Sequence, residues 1–154
     1  MAGPRDGSIE IRLLGAGETA RLGRVADDVF DEPLVASALA AFVAAAGHAC
    51  FLAMAGALVV GQVRGMVHQQ PDRAPDLYID NLGVAPGWQR RGIATRLVEA
   101  LMDWGRDRGC ETVWVATETD NETAQAFYAS LGLSQRQSCV VLSHPLATLP
   151  RLSR

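Results

Sequence analysis

The chain lacks lysine altogether: its 14 basic residues, among 154 in all, are arginines. Chemistry that depends on a lysine amine, such as Schiff-base formation with a carbonyl substrate, is therefore excluded. Positive charge is also in deficit, since 17 acidic residues leave a net charge of −3. A general nucleic-acid binder needs the opposite balance to neutralise phosphates, so we expect no nucleic-acid partner.

Apolar runs long enough to cross a membrane are missing, and so is a charged start followed by an apolar signal core. We therefore expect a cytoplasmic protein without a membrane partner. Cysteine is scarce as well: Cys50, Cys110 and Cys139 are odd in number and widely spaced in apolar surroundings. This pattern predicts buried free thiols and no metal site, with a disulfide or a metal ligand as the less favoured alternative.

The pattern of elements indicates a single domain over residues 1–154, and the 49% hydrophobic content suits a globular core. Residues 1–7 are predicted to fray. Periodicity and turn residues first predict a strand at 9–13, helices at 18–30 and 33–46, and strands at 50–55, 58–67 and 77–84. A helix ending near 109, a strand at 112–117, a helix through 130 and a strand at 140–142 follow. A Thr119-x-x-Glu122 pattern would cap the helix that runs through 130. Gly83 favours a β-bulge or a close backbone approach near residues 81–83. An α/β fold follows, with a mixed sheet and helices on both faces.

The junction between the strand at 77–84 and the next helix carries the most informative motif, Gln89-Arg90-Arg91-Gly92-Ile93-Ala94-Thr95. The first turn of a helix offers unpaired backbone N–H groups and the positive end of the macrodipole, which together bind phosphate. Gly92 and Ala94 keep bulky side chains away, while Arg90 and Arg91 add guanidiniums that bind phosphate oxygens. The segment predicts a cradle for a phosphorylated ligand. The alternative is a solvated turn before an ordinary helix, because short glycine motifs are weak evidence alone.

Acidic residues gather in two clusters, one of Asp27, Asp28, Asp31 and Glu32 and the other of Glu118, Asp120 and Glu122. Such clusters attract a polycation. They are equally compatible with a solvated helix face and with capping carboxylates.

Three motifs occur in one order: Asn81-Leu82-Gly83-Val84-Ala85-Pro86, Gln89-x-x-Gly92-x-Ala94, and Asn121-x-x-Ala124-x-x-Phe127-Tyr128-x-x-Leu131-Gly132-Leu133. In combination they resemble the GNAT superfamily of acetyl-CoA-dependent N-acetyltransferases, over nearly the whole chain. The resemblance implies a mixed, mostly antiparallel sheet of six to seven strands, splayed at a β-bulge and flanked by about four helices. It also implies acetyl-CoA as the cofactor and is compatible with a homodimer.

The resemblance further implies roles for single residues. The backbone amides of Gln89, Arg90, Arg91, Gly92, Ile93, Ala94 and Thr95 would bind the pyrophosphate of coenzyme A. The strand Leu82-Gly83-Val84 would pair with the pantetheine arm, and the Val84 N–H would stabilise the oxyanion. Asn121 and Ala124 would contact the cofactor arm, and Tyr128 would be the general acid for the departing thiolate. Each has a structural alternative: Leu82 and Val84 as core, Asn121 as a helix cap and Tyr128 as a buried aromatic.

Within the superfamily, Val29-Phe30-Asp31-Glu32-Pro33, Leu77-Tyr78-Ile79-x-x-Leu82 and the segment 90–95 resemble aminoglycoside 3-N-acetyltransferases of the gentamicin-resistance type. This implies a polycationic amino-sugar as the acceptor, whose ammonium groups need carboxylates or other hydrogen-bond acceptors. The candidates for binding it are Asp31, Glu32, Asp76, Asp80, Asn81 and Glu118. In those enzymes a carboxylate stands where this chain has Asn81.

The attacking amine must lose a proton, which a carboxylate with a pKa raised by burial accepts directly or through water. Asp80 is the first candidate for this base, followed by Asp76 and Glu118. Because neighbouring strand residues face opposite sides, Asp80 replaces the missing carboxylate at position 81 only if the bulge re-aims it. Solvation at the sheet edge or a salt bridge with Arg64 is the structural alternative.

The resemblance thus implies acetyl transfer to an aminoglycoside by direct attack in a ternary complex. A polyamine, an amino acid or a protein N-terminus is the alternative acceptor, and a non-catalytic coenzyme A binding module is the alternative class. A Rossmann dinucleotide domain is disfavoured, because residues 89–94 lack a Gly-x-Gly-x-x-Gly series.

Overall fold

The computed structural model describes residues 8–153, with every side chain except that of Arg21. The fraying predicted for residues 1–7 lies outside this range. A five-stranded sheet runs through the described residues in the order β1-β2-β3-β4-β5. Its strands are β1 Glu10–Leu13, β2 His48–Ala55, β3 Leu58–His68, β4 Asp76–Val84 and β5 Thr112–Val115. The first four pair antiparallel and β4 pairs parallel with β5, which confirms the mixed, mostly antiparallel sheet.

Helices lie on both faces of this sheet, as predicted. The α-helices are α1 Ala36–Ala44, α2 Ile93–Arg106 and α3 Glu122–Ser130, and short 3₁₀ helices occupy Ala16–Gly23, Pro86–Trp88 and Leu146–Thr148. Helix α2 is amphipathic: Ile93, Leu97, Leu101 and Trp104 recur on its buried side. The two faces carry separate hydrophobic clusters, one beneath α2 and one between the sheet and residues 14–43.

The pairing of β4 decides the shape of the site. Arg64 on β3 stands opposite Asn81, and Gly65 stands opposite Ile79, so Asp80 is the extra residue of a β-bulge. The bulge therefore lies at Asp80, just before residues 81–83. On its other side β4 pairs with β5 only as far as Ile79 and Val115. From Asp80 to Val84 this edge of β4 is consequently open, and the sheet is splayed as predicted.

Three predictions about the elements are wrong within the described residues. The sheet has five strands rather than six to seven, and there are three α-helices rather than about four. The segment predicted as a strand at 140–142 pairs with nothing: Val140, Val141 and Leu142 are 83%, 80% and 88% exposed. Local β propensity alone does not form a strand without a partner edge.

The helix predicted at 18–30 is also wrong, since only the 3₁₀ helix Ala16–Gly23 forms there. The backbone after Gly23 turns to β3 instead. The Val59 N–H donates to Arg24 O, and the Ala26 N–H donates to Val59 O, both at 2.9 Å. The first acidic cluster therefore lies on an irregular segment, residues 27–32, and not on a helix face.

Candidate active site

The cradle, residues 89–95, has the backbone geometry of an anion site. Gly92 is the N-cap of α2 and takes the left-handed conformation with φ 75° and ψ 8°, and no side chain caps the helix. Arg90 also has a positive φ of 62°, which is uncommon for a residue other than glycine. Among the described residues no hydrogen bond involves the N–H groups of residues 90–95. Unpaired donors at the N-terminus of a helix suit a phosphate group.

Two cradle side chains are held against the segment that precedes α2. Gln89 Nε2 donates to Val84 O at 3.1 Å. Arg91 donates to Gly87 O at 3.1 Å, and its guanidinium lies 4.8 Å from the centre of the Trp88 ring. These contacts fix the loop between β4 and α2. The Ile93 side chain is buried, so at this position of the cradle the backbone faces outward.

The open edge of β4 presents the Val84 N–H. Ala85 N–H donates to Val60 O at 2.9 Å, toward β3. Because successive N–H groups of a strand point to opposite edges, the N–H groups of Val84 and Leu82 point away from β3, into the gap beside β5. The gap therefore contains outward donors beside the cradle, as an extended ligand arm and an oxyanion require.

Tyr128 on α3 is buried in the hydrophobic cluster on the α2 face of the sheet, which also includes Leu82, Val84 and Ile93. It is 8% exposed, and its ring meets Phe127 edge to face at 5.0 Å between centroids. Burial raises the pKa of the Tyr128 phenol above its ordinary value of 10.0. The phenol is thus protonated at neutral pH, which is the state that a proton donor needs.

Asn121 is the N-cap of α3, and its Oδ1 accepts from Ala124 N–H at 3.1 Å. The capping function foreseen as an alternative for Asn121 is therefore present. The prediction of a Thr119-x-x-Glu122 capping box is wrong, because the N-cap of the helix is Asn121, two residues after Thr119. Asn121 is exposed and retains its Nδ2 group for other contacts.

The other side of β4 is covered by residues 28–31. A Cβ built on Gly83 would lie only 2.3 Å from Val29 O, so only glycine allows this backbone to cross the strand here. Asp28 has a positive φ of 62° in the turn that leads to the crossing. The close approach predicted at Gly83 is thus confirmed, and it places Asp31 beside Asn81.

Asp80 and Asn81 reach the same face of the sheet. Asp80 Oδ2 accepts from Arg64 Nε at 2.7 Å, and Asn81 Oδ1 accepts from Gln62 Nε2 at 2.6 Å. Arg64 and Gln62 are two positions apart on β3 and so point the same way. The bulge has therefore re-aimed Asp80, but the carboxylate is engaged in the salt bridge foreseen as its structural alternative.

Gln62 is the residue that the sequence analysis missed. It is fully buried, at 0% exposed, and donates also to Val29 O at 3.2 Å. Asn81 Nδ2 in turn donates to Asp31 Oδ2 at 2.9 Å. The one available signal was a glutamine inside the apolar run of β3, since a polar residue in a buried strand needs partners.

Asp31 and Glu32 open onto a cleft of about 460 Å³, which we call the acidic cleft. Its lining consists of Leu22, Gly23, Val25, Ala26, Phe30, Asp31, Glu32, Pro33 and Leu34. The crossing at Gly83 puts this cleft on the side of β4 opposite α2. Its size suits a small molecule, and its carboxylates suit a cation.

The remaining acidic candidates lie apart from this cleft. Asp76 is at the start of β4, eight positions before Val84, which is roughly 26 Å along an extended strand. It contacts Arg73 and Gln70 there. Glu118 lies beyond the end of β5, with its carbonyl accepting from Asn121 N–H and its side chain exposed. Because β4 and β5 are parallel, Glu118 is at the same end of the sheet as Val84.

All three cysteines are free. Burial raises the pKa of the Cys50 thiol to about 12, although Arg64 opposes the shift, so a thiolate nucleophile there is disfavoured. Cys139 is exposed, and the predicted burial is wrong for this residue. In residues 8–153 no three His, Cys, Asp or Glu side chains converge in a way that could hold a metal ion. None of the described helices has the length and apolar character needed to cross a membrane.

Comparison with known proteins identifies the family. The profile of the acetyltransferase (GNAT) family matches residues 21–133. The chain belongs to this family. A solved structure of the aminoglycoside N-acetyltransferase AAC(6')-Iy in complex with CoA has the same fold as this GNAT chain, with a TM-score of 0.75 at 21% identity over 93% of this chain and 99% of that one.

Two curated relatives of this GNAT protein differ in their acceptors. Aminoglycoside N(6')-acetyltransferase type 1 of Salmonella typhimurium is 25% identical over 96 residues, 60% of this chain and 66% of that enzyme. The ribosomal protein bS18 alanine N-acetyltransferase of the same organism is 40% identical over 55 residues, 36% of this chain and 37% of that enzyme. The chain thus spans just under two thirds of the first relative's length and about a third of the second's. The 3-N type implied by the sequence gains no support from these names.

Proposed function

We propose that this chain transfers the acetyl group of acetyl-CoA to a primary amine of an aminoglycoside, by direct attack in a ternary complex. The observation that carries the proposal is the open edge of β4, with outward N–H donors beside the cradle on one side and the acidic cleft behind Gly83 on the other. A donor and a polycationic acceptor would meet there without a covalent enzyme intermediate.

The donor fits the residues that are present. The unpaired N–H groups of the cradle and the left-handed Gly92 suit a pyrophosphate, and the outward N–H groups of Leu82 and Val84 suit a pantetheine arm. When bound, acetyl-CoA supplies the acetyl group as a thioester, whose carbonyl carbon the amine attacks. The Val84 N–H would donate to the carbonyl oxygen as negative charge develops on it.

The proposed reaction releases one proton in total. The acceptor ammonium first gives one proton to a carboxylate, which passes it to solvent, and the free amine then attacks. As the carbon–sulfur bond breaks, Tyr128 would give its phenolic proton to the departing thiolate. The new amide nitrogen loses its second proton, which restores the Tyr128 phenol. The net products are an acetamide, coenzyme A and one released proton.

An aminoglycoside suits the acceptor side because it carries several ammonium groups, while the acidic cleft carries Asp31 and Glu32 at its rim. Two of the similar proteins bear an aminoglycoside N(6')-acetyltransferase name or its AAC(6') form. The sequence motifs imply the 3-amine instead. The proposal therefore stays at an aminoglycoside amine, and the acetylated nitrogen is what the experiment determines.

The test is a screen of acceptors with acetyl-CoA, in which the release of the free thiol of coenzyme A is measured. We expect turnover with kanamycin, gentamicin or neamine, and mass spectrometry with NMR of the product assigns the acetylated nitrogen. If none of the aminoglycosides in the panel causes release of the thiol, the proposed acceptor is contradicted. Binding of acetyl-CoA without turnover on any amine would instead indicate a coenzyme A binding module.

A second candidate acceptor is the N-terminus of a protein. The short match to the bS18 alanine N-acetyltransferase, at 40% identity, favours it. A peptide with an N-terminal alanine in the same screen separates the two acceptors. Spermidine completes the panel, because a polyamine would satisfy the acidic cleft without a sugar.

A further inference from the structure

Three polar side chains connect the buried side of β3 to the acidic cleft. The hydrogen bonds run from Gln62 Nε2 to Asn81 Oδ1 at 2.6 Å, and from Asn81 Nδ2 to Asp31 Oδ2 at 2.9 Å. Fifty positions separate Asn81 from Asp31 in the sequence, so the contact exists only in the folded chain. We call these three residues the amide relay.

The direction of the relay is fixed at its buried end. The Val29 carbonyl can only accept, so the Gln62 group that faces it is the NH₂ group, at 3.2 Å. The same NH₂ group faces Asn81, so the Asn81 atom there must be the oxygen. Asn81 therefore has to present its own NH₂ group at the far end. A carboxylate is the partner that accepts such a donor best.

The orientation of the Gln62 amide leaves one buried polar atom without a hydrogen bond in the described part of the chain. Gln62 Oε1 is buried and has no hydrogen-bond partner within the described residues. Turning the amide over would satisfy neither Val29 nor the present orientation of Asn81. An apolar side chain at position 62 would avoid this unsatisfied oxygen altogether. The glutamine is thus better suited to orienting Asn81 and Val29 than to filling the core.

Asp31 has one oxygen occupied and one available. Oδ2 accepts from Asn81, while Oδ1 has no partner among the described residues, and the side chain is exposed at the rim of the acidic cleft. Asp80, by contrast, already holds the Arg64 guanidinium at 2.7 Å. Of these two carboxylates beside the bulge, Asp31 is the one available to a cation.

We propose that Gln62 and Asn81 are positioning residues that hold Asp31 at the rim of the cleft, where its second oxygen binds an ammonium group of the acceptor. Asp31 thereby supplies the carboxylate that position 81 lacks. Asn81, which we call the carrier, holds that carboxylate in place by a hydrogen bond. An aspartate at position 81 would instead face Asp31 with like charge. The proposal rests on the proposed function for the identity of the acceptor, but the relay itself does not.

The first test needs no substrate. Side-chain amide resonances of the free protein are assigned, and their hydrogen exchange is compared between the wild type and two variants. We expect D31A to speed exchange of the Asn81 NH₂ group about tenfold, because its acceptor is lost. D31N keeps an oxygen at the same place, so exchange stays slow. Equal exchange in the wild type and D31A would overturn the relay, whatever the protein acetylates.

The second test uses steady-state kinetics with the aminoglycoside that the screen identifies. D31N removes the charge but keeps the hydrogen bond, and we expect it to raise KM for the acceptor roughly tenfold, with KM for acetyl-CoA unchanged. D103N, on the exposed side of α2, removes the same charge far from the cleft and serves as the control. A rise in D103N as large as that in D31N would mean that only net charge matters, and would overturn the role of Asp31.

Coupling between the residues separates positioning from simple core stability. Gln62→Met keeps the length of the side chain and removes both donors, and Asn81→Ala removes the carrier without touching the core. We expect each to raise KM for the acceptor in the wild type but to have no further effect in D31N, where there is no charge to place. Equal effects in both backgrounds would overturn the proposal. If no aminoglycoside reacts while D31A alters the exchange of Asn81, the proposed function fails and the relay stands.

Discussion

The cradle and the acidic cleft meet at β4 but are lined by different kinds of group. The cradle consists of backbone N–H groups that two left-handed residues, Arg90 and Gly92, turn outward. At the cleft, Asp31 is hydrogen-bonded to Asn81 and Asn81 to Gln62, three side chains from separate segments that only the folded chain brings together. A backbone site tolerates many side chains, whereas a relay of side chains fails when any one of them changes. A single side-chain substitution should therefore disturb the acceptor side more readily than the donor side.

The largest expected effect concerns Tyr128, which is buried on the α2 side of the sheet. Tyr128→Phe keeps the buried ring and removes the proton, so we expect kcat to fall by about 10² to 10⁴, as for loss of a general acid. Acetyl-CoA binding, measured by calorimetry, should stay unchanged because the cradle is intact. An unchanged kcat would remove the general-acid role and leave Tyr128 as core.

The same residue sets a pH limit with a definite sign. Burial raises the pKa of the Tyr128 phenol above its ordinary value of 10.0, so the phenol is protonated at neutral pH and stays protonated to a higher pH than an ordinary tyrosine does. A decline of kcat caused by deprotonation of Tyr128 should therefore lie in the alkaline range, at a higher pH than the decline that a phenol with the ordinary pKa would give. That decline should be absent from the residual activity of Tyr128→Phe, and its persistence would assign it to another group.

The different make-up of the two regions also explains what could be predicted from the sequence. The cradle follows from a local pattern, because Gly92 and the start of α2 define both its backbone and its unpaired donors. The open edge beside Val84 follows from the bulged strand. The cradle depends on no distant contact, so its backbone geometry is predictable from the local sequence, whereas the open edge depends also on where β4 stops pairing with β5.

The acceptor side could not be predicted in this way. The contact of Asp31 with Asn81 depends on where the backbone crosses Gly83, and the turn of residues 24–26 onto β3 replaced the helix that periodicity favours at 18–30. The strand predicted at 140–142 failed for the complementary reason, since β propensity is local but a partner edge is not. Long-range contacts decided these cases.

The next effect should fall on the donor side alone. Gly92→Ala introduces a side chain at φ 75°, where an ordinary residue is strained by about 1–2 kcal/mol. If the cradle relaxes to avoid this strain, its N–H groups turn away, and we expect KM for acetyl-CoA to rise roughly 5- to 30-fold by the usual conversion. KM for the acceptor should not change. Gly87→Ala is the matched control, because its φ is not positive and nothing lies within 4 Å of the added methyl group. A parallel rise in both KM values would show that the two regions are not independent.

The smallest expected effect distinguishes the two functions considered for Asn121. Asn121→Ala removes the cap on Ala124 N–H and should lower the stability of the fold by about 1 kcal/mol. Asn121→Asp keeps an accepting oxygen, so thermal unfolding should show nearly wild-type stability. It replaces the Nδ2 donor with negative charge, however, and any contact of that donor with the cofactor arm would be lost. A raised KM for acetyl-CoA in the stable Asn121→Asp variant would therefore assign Asn121 to the donor side. An unchanged KM in that variant, with lowered stability in Asn121→Ala, would restrict the residue to capping α3, and the donor side would then consist of backbone groups and Tyr128 alone.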